Sequence, residues 1–410
     1  MKGRFDMRHF SKLRFVISAL IFFYVAIVVY NVAIIKQYKE IVLPNSYLES
    51  YAIGDYKYTS LDDFIEFING VENKKKVKVK VNGKEFEYTY SDIGLHLDTD
   101  GIIDEIKSSQ SHLNYVKRIS LINSRGKKVY SFKYIVNEDE SKKFLEKIKN
   151  DTHQDRQDGH FQDDGYNVSY VKGINSFDLD IGKSMESLKN TFKDGVKEGT
   201  KIELIGNSEA ANNNDSYATI DTMVSTFTTY FNQYEYARAQ NLYTALSYIN
   251  GAVIEPGEVF SYYKYAGPFN KYGYVFYYEF VGNGVCQIAT TTYNAALLGG
   301  LEIVKRYPHA AKSVYVPGGL DATVASYSSG WYVDMAFKNT YDYPIYVRAY
   351  HNGGSATVEL WSNHDAKRGY TYETESVQIG YRGYQSYLHV YKDGQEQERR
   401  FIATTWYIKD

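Results

Sequence analysis

The sequence predicts an α+β protein in several parts: an N-terminal transmembrane helix, two α+β domains in succession and a β-rich C-terminal tail. Three observations carry this reading. The run Phe15–Ile35 contains no charged residue. Two long regions, residues 60–206 and 217–362, mix strand and helix periodicities, with a small polar linker between them. From Tyr341 onward the pattern is almost all strand and turn.

The chain has 410 residues, too many for one ordinary domain. The formal net charge is -2, and no basic stripe is visible, which speaks against nucleic acid as a partner. Tyrosine is used 43 times, a choice that suits strands and amphipathic surfaces alike.

At about 1.5 Å per residue, Phe15–Ile35 is long enough to cross the roughly 30 Å hydrocarbon core of a bilayer. Lys2, Arg4, Arg8, Lys12 and Arg14 precede it against Asp6 alone. The positive-inside rule then keeps residues 1–14 in the cytoplasm as a basic tail and sends residues 36–410 outside, so the chain is a single-pass membrane protein. The competing reading is a cleaved signal peptide. Such a peptide has an apolar region of about 7–15 residues and a small-residue cleavage site. This run is longer and shows no clear site, which favours an uncleaved anchor.

Residues 36–59 read as a stalk. The first domain, 60–206, opens with a helix over Leu61–Ile68. Val77, Val79 and Val81 then alternate, Asn82-Gly83 makes a tight turn, and Phe86, Tyr88 and Tyr90 alternate back, which predicts a hairpin. A strand followed by a helix is predicted twice, at Asp92–Ile106 and at Phe177–Phe192, suggesting an internal pseudo-repeat. The polar stretch Asp151–Gly165 carries aspartates with His153 and His160, but no recognised metal-ligand spacing, and reads as a solvated loop. Asn207–Ser216 is the linker.

In the second domain Tyr234–Ile249 has helical spacing and stops at Asn250-Gly251. Strand pairs follow at Tyr343–Tyr350 with Ala356–Trp361, and at Tyr387–Tyr391 with Arg399–Tyr407, the latter in a C-terminal extension of residues 363–410.

Chemistry concentrates in residues 282–324. Cys286 is the only cysteine of the chain. Outside the cytoplasm a single thiol has no partner in its own chain, so it is either an inert buried residue or a reactive one. Gly282 and Gly284 precede it, and Ile288, Tyr293, Ala296 and Leu297 continue as a helix. Cys286 therefore falls where a glycine-rich turn meets a helix N-terminus, a position whose free N–H groups and dipole favour a thiolate. Backbone amides from Gly284, Val285 and Gln287 are candidates to support an oxyanion there. His309 follows a returning strand through Ile303 and Val304 and is within plausible reach as acid and base. Asp321 is a candidate to orient its ring. The bland alternative is a buried cysteine, a loop histidine and a turn aspartate, and spacing alone leaves both open. No metal or organic cofactor is implied, and no residue is assigned to substrate binding.

Four runs resemble the VanW family: INGAVIEPGEVFSYYKYAGP (249–268), CQIATTTYNAALLGGLEIVKRYPH (286–309), VPGGLDATV (316–324) and FKNTYDYPIYV (337–347). Residues 60–206 resemble, more loosely, the peptidoglycan-binding domain that often precedes VanW domains. The resemblance implies cell-wall work, and some VanW-domain proteins act as L,D-transpeptidases. Cys286 matches the family's central cysteine and His309 its histidine. The implied function is a membrane-anchored L,D-transpeptidase that forms 3-3 peptidoglycan crosslinks through a cysteine thioester, with stem peptides and glycan as partners. An L,D-carboxypeptidase acting on the same bond, or a non-catalytic wall-binding accessory of glycopeptide resistance, are the alternatives. The chain departs from the family pattern in three places, one being the segment Tyr274–Val281 before the cysteine, which is short. It has Gly282-Asn283-Gly284-Val285 where the family shows three glycines before Ile-Cys-Gln. It also has Leu320 where an arginine is common, which puts a carboxylate contact at that position in doubt.

Overall fold

A computed structural model describes residues 7–193, 195–196, 199–278 and 280–409. The residues of the basic tail before position 7 lie outside this range. The described chain forms two compact units. One is built from Met1–Arg156 and Asn175–Ala210, the other from Gln157–Ile174 and Ala211–Asp410. The fold is mixed α and β, with an apolar N-terminal helix and a β-rich C-terminal region.

In the first unit α1 (Met7–Gln37) contains one span, Ser11–Gln37, long and apolar enough to cross a membrane. The amphipathic α2 (Tyr58–Glu72) buries Leu61, Ile65 and Ile68 on one face, the spacing of a helical stripe. The strands β1 (Lys76–Val81) and β2 (Lys84–Thr89) form the hairpin that the valine alternation predicts: Val77, Val79 and Val81 are buried. At its tip Asn82 and Gly83 both take positive φ, as a type I′ turn requires. The helix α3 (Thr99–Ser111) is capped by Asp98, whose carboxylate accepts the Gly101 amide. Then comes α4 (Glu138–Thr152).

The polar stretch after α4 departs from the expected loop. His160–Asp163, β3, pairs antiparallel with β4 (Val168–Val171), and this hairpin belongs to the second unit. It is held there by Asp163 Oδ2, which accepts from Arg348 Nε at 2.7 Å, and by Phe161, whose ring lies 4.5 Å from that of Tyr346. Sequence polarity conceals this, because the apolar contacts are few and the ion pair joins residues far apart in the chain. Back in the first unit, α5 (Ile181–Phe192) is capped by Asp180, which accepts the Lys183 amide. The two strand–helix segments thus start their helices with the same device. The parallel strand β5 (Lys201–Glu203) completes the sheet on β1.

The second unit is organised around one helix. The strand β6 (Thr222–Tyr230) leads into α6 (Tyr236–Ile249), and β7 (Val259–Ser261) precedes the cleft. The central helix, α7 (Val285–Leu298), is buried almost all round. After it come β8 (Glu302–Lys305), β9 (Ala336–Lys338), β10 (Ile345–Asn352) and β11 (Ser355–Ser362). The strand order β6-β11-β10 is antiparallel and ends on Val253–Ile254; β9 pairs with both β7 and β8. One side of α7 packs on β6. Ser225 Oγ donates to the Ala295 carbonyl at 2.8 Å, and Thr229 Oγ1 lies 2.8 Å from Thr291 Oγ1. Ala289, Ala295 and Ala296 are fully buried on α7, as are Ile288 and Tyr293, and burying Ile288 contributes roughly 1.5–3 kcal/mol. The C-terminal sheet, β12 (Tyr370–Gln378), β13 (Gly383–Lys392) and β14 (Gln395–Trp406), is an antiparallel meander. It is packed into the unit rather than hanging from it: Leu388 joins the core, and Ser376 Oγ donates to the Gly318 carbonyl at 2.6 Å.

Candidate functional site

Cys286 is the second residue of α7, half-buried, on the wall of a cleft of about 750 Å³. Two glycines deliver it there. Gly282 has φ +73°, and a Cβ on it would lie 2.4 Å from the Phe269 carbonyl oxygen. Gly284 has φ +110°, and a Cβ on it would press on Leu242 at 2.8 Å. Neither conformation suits a side chain, and neither has room for one. The preceding loop is anchored by Asn241 on α6, which is fully buried. Its Nδ2 donates to the Val275 and Asn283 carbonyls at 3.0 Å, and its Oδ1 accepts the Val275 amide at 2.8 Å.

On a neighbouring face of α7 the segment 320–324 runs along the helix against one stripe of side chains four residues apart. Asn294 Nδ2 donates to the Leu320 carbonyl at 2.9 Å. Thr290 Oγ1 donates to the Ala322 carbonyl at 3.1 Å and accepts its amide at 2.9 Å. The Cys286 thiol donates to the Val324 carbonyl at 3.2 Å and accepts its amide at 3.4 Å. The nucleophile candidate and the segment that carries Asp321 are therefore parts of one rigid element.

His309 lies on the segment after β8, which runs beside residues 320–324: the Thr323 amide donates to the Tyr307 carbonyl at 2.7 Å. Its ring Nδ1 is 2.7 Å from Asp321 Oδ2, and its backbone amide donates to the same oxygen at 2.7 Å. A carboxylate only accepts, so Nδ1 carries the proton and Nε2 is the nitrogen left for the thiol. Ser313 Oγ is 3.2 Å from Nδ1. Burial of the imidazole favours its neutral form, but the bonds and charges of Asp321 and Cys286 outweigh it and raise the His309 pKa to about 9. Asp321 is fully buried; burial alone favours its neutral form, yet hydrogen bonds from His309 and Tyr407 and the charge of Arg306 hold its carboxyl below the usual range. Its second oxygen, Oδ1, accepts from Tyr407 at 2.7 Å and from Arg306 Nη2 at 3.2 Å.

The structure divides the three residues expected around an oxyanion. The Val285 amide donates to the Gly282 carbonyl at 3.3 Å and the Gln287 amide to the Gly284 carbonyl at 3.0 Å. The first turn of α7 closes on itself with i to i+3 bonds, so these two donors are engaged. Among the described residues the Gly284 and Cys286 amides have no acceptor. Gln287 contributes through its side chain instead. It is buried, donates to Thr229 Oγ1 and the Tyr230 carbonyl at 3.0 Å, and accepts from Arg238 Nη2 at 2.6 Å. It clamps the start of α7 between β6 and α6.

Sequence reasoning missed Asn241, Thr290, Arg306, Tyr315 and Tyr407. Of these, Thr290 has a visible signal, since it falls one helical turn after Cys286. Tyr315 is a phenol whose pKa rises to about 12, chiefly by burial and also by the charge of Cys286. Among the described residues no group of three or more His, Cys, Asp and Glu side chains is placed to hold a metal ion. Chemically, the cleft offers a half-buried thiol and two unengaged amides at a helix start, and beside the segment that holds the thiol stands an imidazole with one nitrogen fixed by a carboxylate. These are the parts of acyl transfer by a nucleophile.

Comparison with known proteins places two regions. Residues 237–361 match the family model described as "VanW like protein", and residues 86–201 match one described as "Putative peptidoglycan binding domain". The uncharacterised protein YoaR of Bacillus subtilis (strain 168) is 36% identical over 148 residues, which is 33% of this chain and 47% of that protein. The chain thus spans about half the length of the curated relative it matches. No solved structure matches.

Proposed function

We propose that this chain, a cell-wall-associated protein with a peptidoglycan-binding domain followed by a VanW-like domain, is a cysteine L,D-transpeptidase anchored by α1 with its two folded units on the wall side. The observation that carries this reading is the bond of His309 to buried Asp321, with Cys286 near enough to help raise the imidazole pKa and itself on the wall of an open cleft. The donor is a tetrapeptide stem of peptidoglycan. The Cys286 thiolate attacks the carbonyl carbon between the third residue and the terminal D-Ala. The Gly284 and Cys286 amides face the developing oxyanion. The C–N bond breaks as the His309 imidazolium gives its proton to the leaving amine, so D-Ala departs and a thioester remains. A side-chain amine of a second stem attacks that thioester and passes its proton to His309. The C–S bond breaks, and a 3-3 crosslink is released with the thiolate restored. Asp321 keeps its charge throughout, holding the ring and stabilising the imidazolium.

Muropeptide analysis tests this with the full-length chain in detergent, wild type beside Cys286→Ala. The expected products of the wild type are free D-Ala and 3-3 dimers, both absent with the variant. D-Ala release without dimers at any acceptor concentration makes the protein a carboxypeptidase. Dimers formed by Cys286→Ala overturn the cysteine mechanism.

A further inference from the structure

The carboxylate that orients His309 is itself completed from the far end of the chain. Tyr407 follows directly on β14, 86 positions from Asp321 and beyond the residues 237–361 that match the VanW model. It is buried, with 4% of its surface exposed. Its hydroxyl makes two bonds that use its single proton and one lone pair: it donates to Asp321 Oδ1 at 2.7 Å and accepts the Gly319 amide at 2.7 Å. The neighbouring Thr405 Oγ1 accepts from Arg306 Nη1 at 3.1 Å, and the same guanidinium donates to the Gly319 and Asp321 carbonyls and to Asp321 Oδ1. The Tyr384 ring of β13 lies directly against Gly318.

The turn that presents Asp321 is therefore gripped from the C-terminal sheet at Gly318, Gly319 and Asp321 itself. A carboxylate free to rotate about its Cβ–Cγ bond presents either oxygen to the imidazole. With Oδ1 bonded to Tyr407 and Arg306, only Oδ2 faces His309, and its plane is set. We propose that Tyr407 is a positioning residue of the reaction, and that the C-terminal sheet is part of the active site through it. This rests on the function proposed above for Cys286 and His309. Tyr407 touches neither substrate nor thiol and acts through Asp321.

The charged and titratable groups that bear on the imidazole are Asp321 and Cys286 directly, with Arg306, Tyr407 and Tyr315 around them. Tyr407→Phe removes one hydroxyl and keeps the buried ring. The Asp321 charge, no longer shared with the phenol, then falls more fully on His309. Two readouts separate the possibilities, with thermal melting to establish that the variant is folded. NMR titration of the histidine rings in the full-length protein is expected to move the His309 midpoint upward. With a tetrapeptide donor, kcat is expected to fall about tenfold, the size of a lost hydrogen bond to a charged group, with KM little changed. An unchanged His309 midpoint in folded Tyr407→Phe overturns the positioning role, whatever the activity. A shifted midpoint in a protein whose wild type has no turnover upholds the coupling of Tyr407 to His309 and rejects the reaction instead. If Tyr407→Phe does not fold, Thr405→Val provides the second variant. It loosens Arg306 from the sheet while leaving the phenol in place, and the same midpoint shift is expected at smaller size; no shift overturns the grip of the sheet on Asp321.

Discussion

A single oxygen of Asp321, Oδ2, takes both the backbone amide and the ring Nδ1 of His309, each at 2.7 Å. The two bonds are not redundant. The amide bond fixes where the residue begins, and the ring bond fixes the tautomer and the plane, so the imidazole has no rotation left that keeps both. Replacing Asp321 with Asn offers Nδ1 an amide in place of a charge. The expected outcome is a fall in kcat of roughly 10²–10⁴, with binding of wall material by the folded protein unchanged. Stopped assays with a tetrapeptide donor check it.

The raised His309 pKa makes stability depend on pH in a defined direction. The group's ordinary value is 6.5 and its folded value about 9. A raised folded pKa means the folded state holds the proton more tightly. The stabilisation is therefore complete below about pH 6.5 and is lost as pH rises through about 9. The difference in melting temperature between wild type and His309→Gln should be largest near pH 6 and shrink steadily toward pH 10. A difference that grows across this window overturns the assignment of the imidazolium to the folded state.

Acyl transfer leaves a mass signature. Intact-protein mass spectrometry of wild type mixed with a tetrapeptide donor is expected to show the chain plus the acyl group, and hydroxylamine should remove it. Cys286→Ala should show no adduct at any time. Alanine suits a helical position but gives up both thiol bonds to Val324, so the variant should fold with a modestly lower melting temperature.

Gly284 offers a structural test of the turn. Gly284→Ala places a Cβ against Leu242 in a backbone conformation that side chains avoid. The expected cost is about 1–3 kcal/mol of stability, read as a lower denaturation midpoint. The helix start should also shift, and with it the rate at which iodoacetamide labels Cys286 in the folded protein. An unchanged midpoint means the turn relaxes freely.

The anchor reading is tested in cells. Protease added to intact protoplasts should digest residues beyond about 40, following the positive-inside rule, while the full-length protein sediments with membranes. Protection of the C-terminal region reverses the orientation.

Much of the frame was legible because it is local. The valine alternation and Asn82-Gly83 specify their hairpin within a dozen positions, and the apolar spacing after Gly284 specifies α7. The position of Cys286 at a helix start follows from the same few residues. What stayed hidden depends on contacts between distant segments. Asn241 looks like any polar residue in a helix, yet it holds a loop 34 and 42 positions away. The Asp151–Gly165 stretch looks like a solvated loop because Asp163 gives no sign of its partner Arg348, 185 positions on. Tyr407 is one of 43 tyrosines, and nothing in its neighbourhood marks it. The engagement of the Val285 and Gln287 amides is hidden for a different reason: whether a first turn closes with i to i+3 bonds is a detail of backbone geometry that residue type does not encode.

The grip of β14 on the Asp321 turn also sets an order of assembly. A chain made from its N-terminus delivers Cys286, then His309, then Asp321, and only much later the residues at 405–407. Contacts that close loops of 86 and 99 residues form last, because the chain entropy they remove is large and their partners arrive late. Until then the thiol exists, but the carboxylate behind its base is held on one side only. On the function proposed above, a chain cut short before residue 407 keeps Cys286 and His309 but lacks the Tyr407 bond that completes Asp321, so truncation at the far end would leave a thiol whose base is only partly supported.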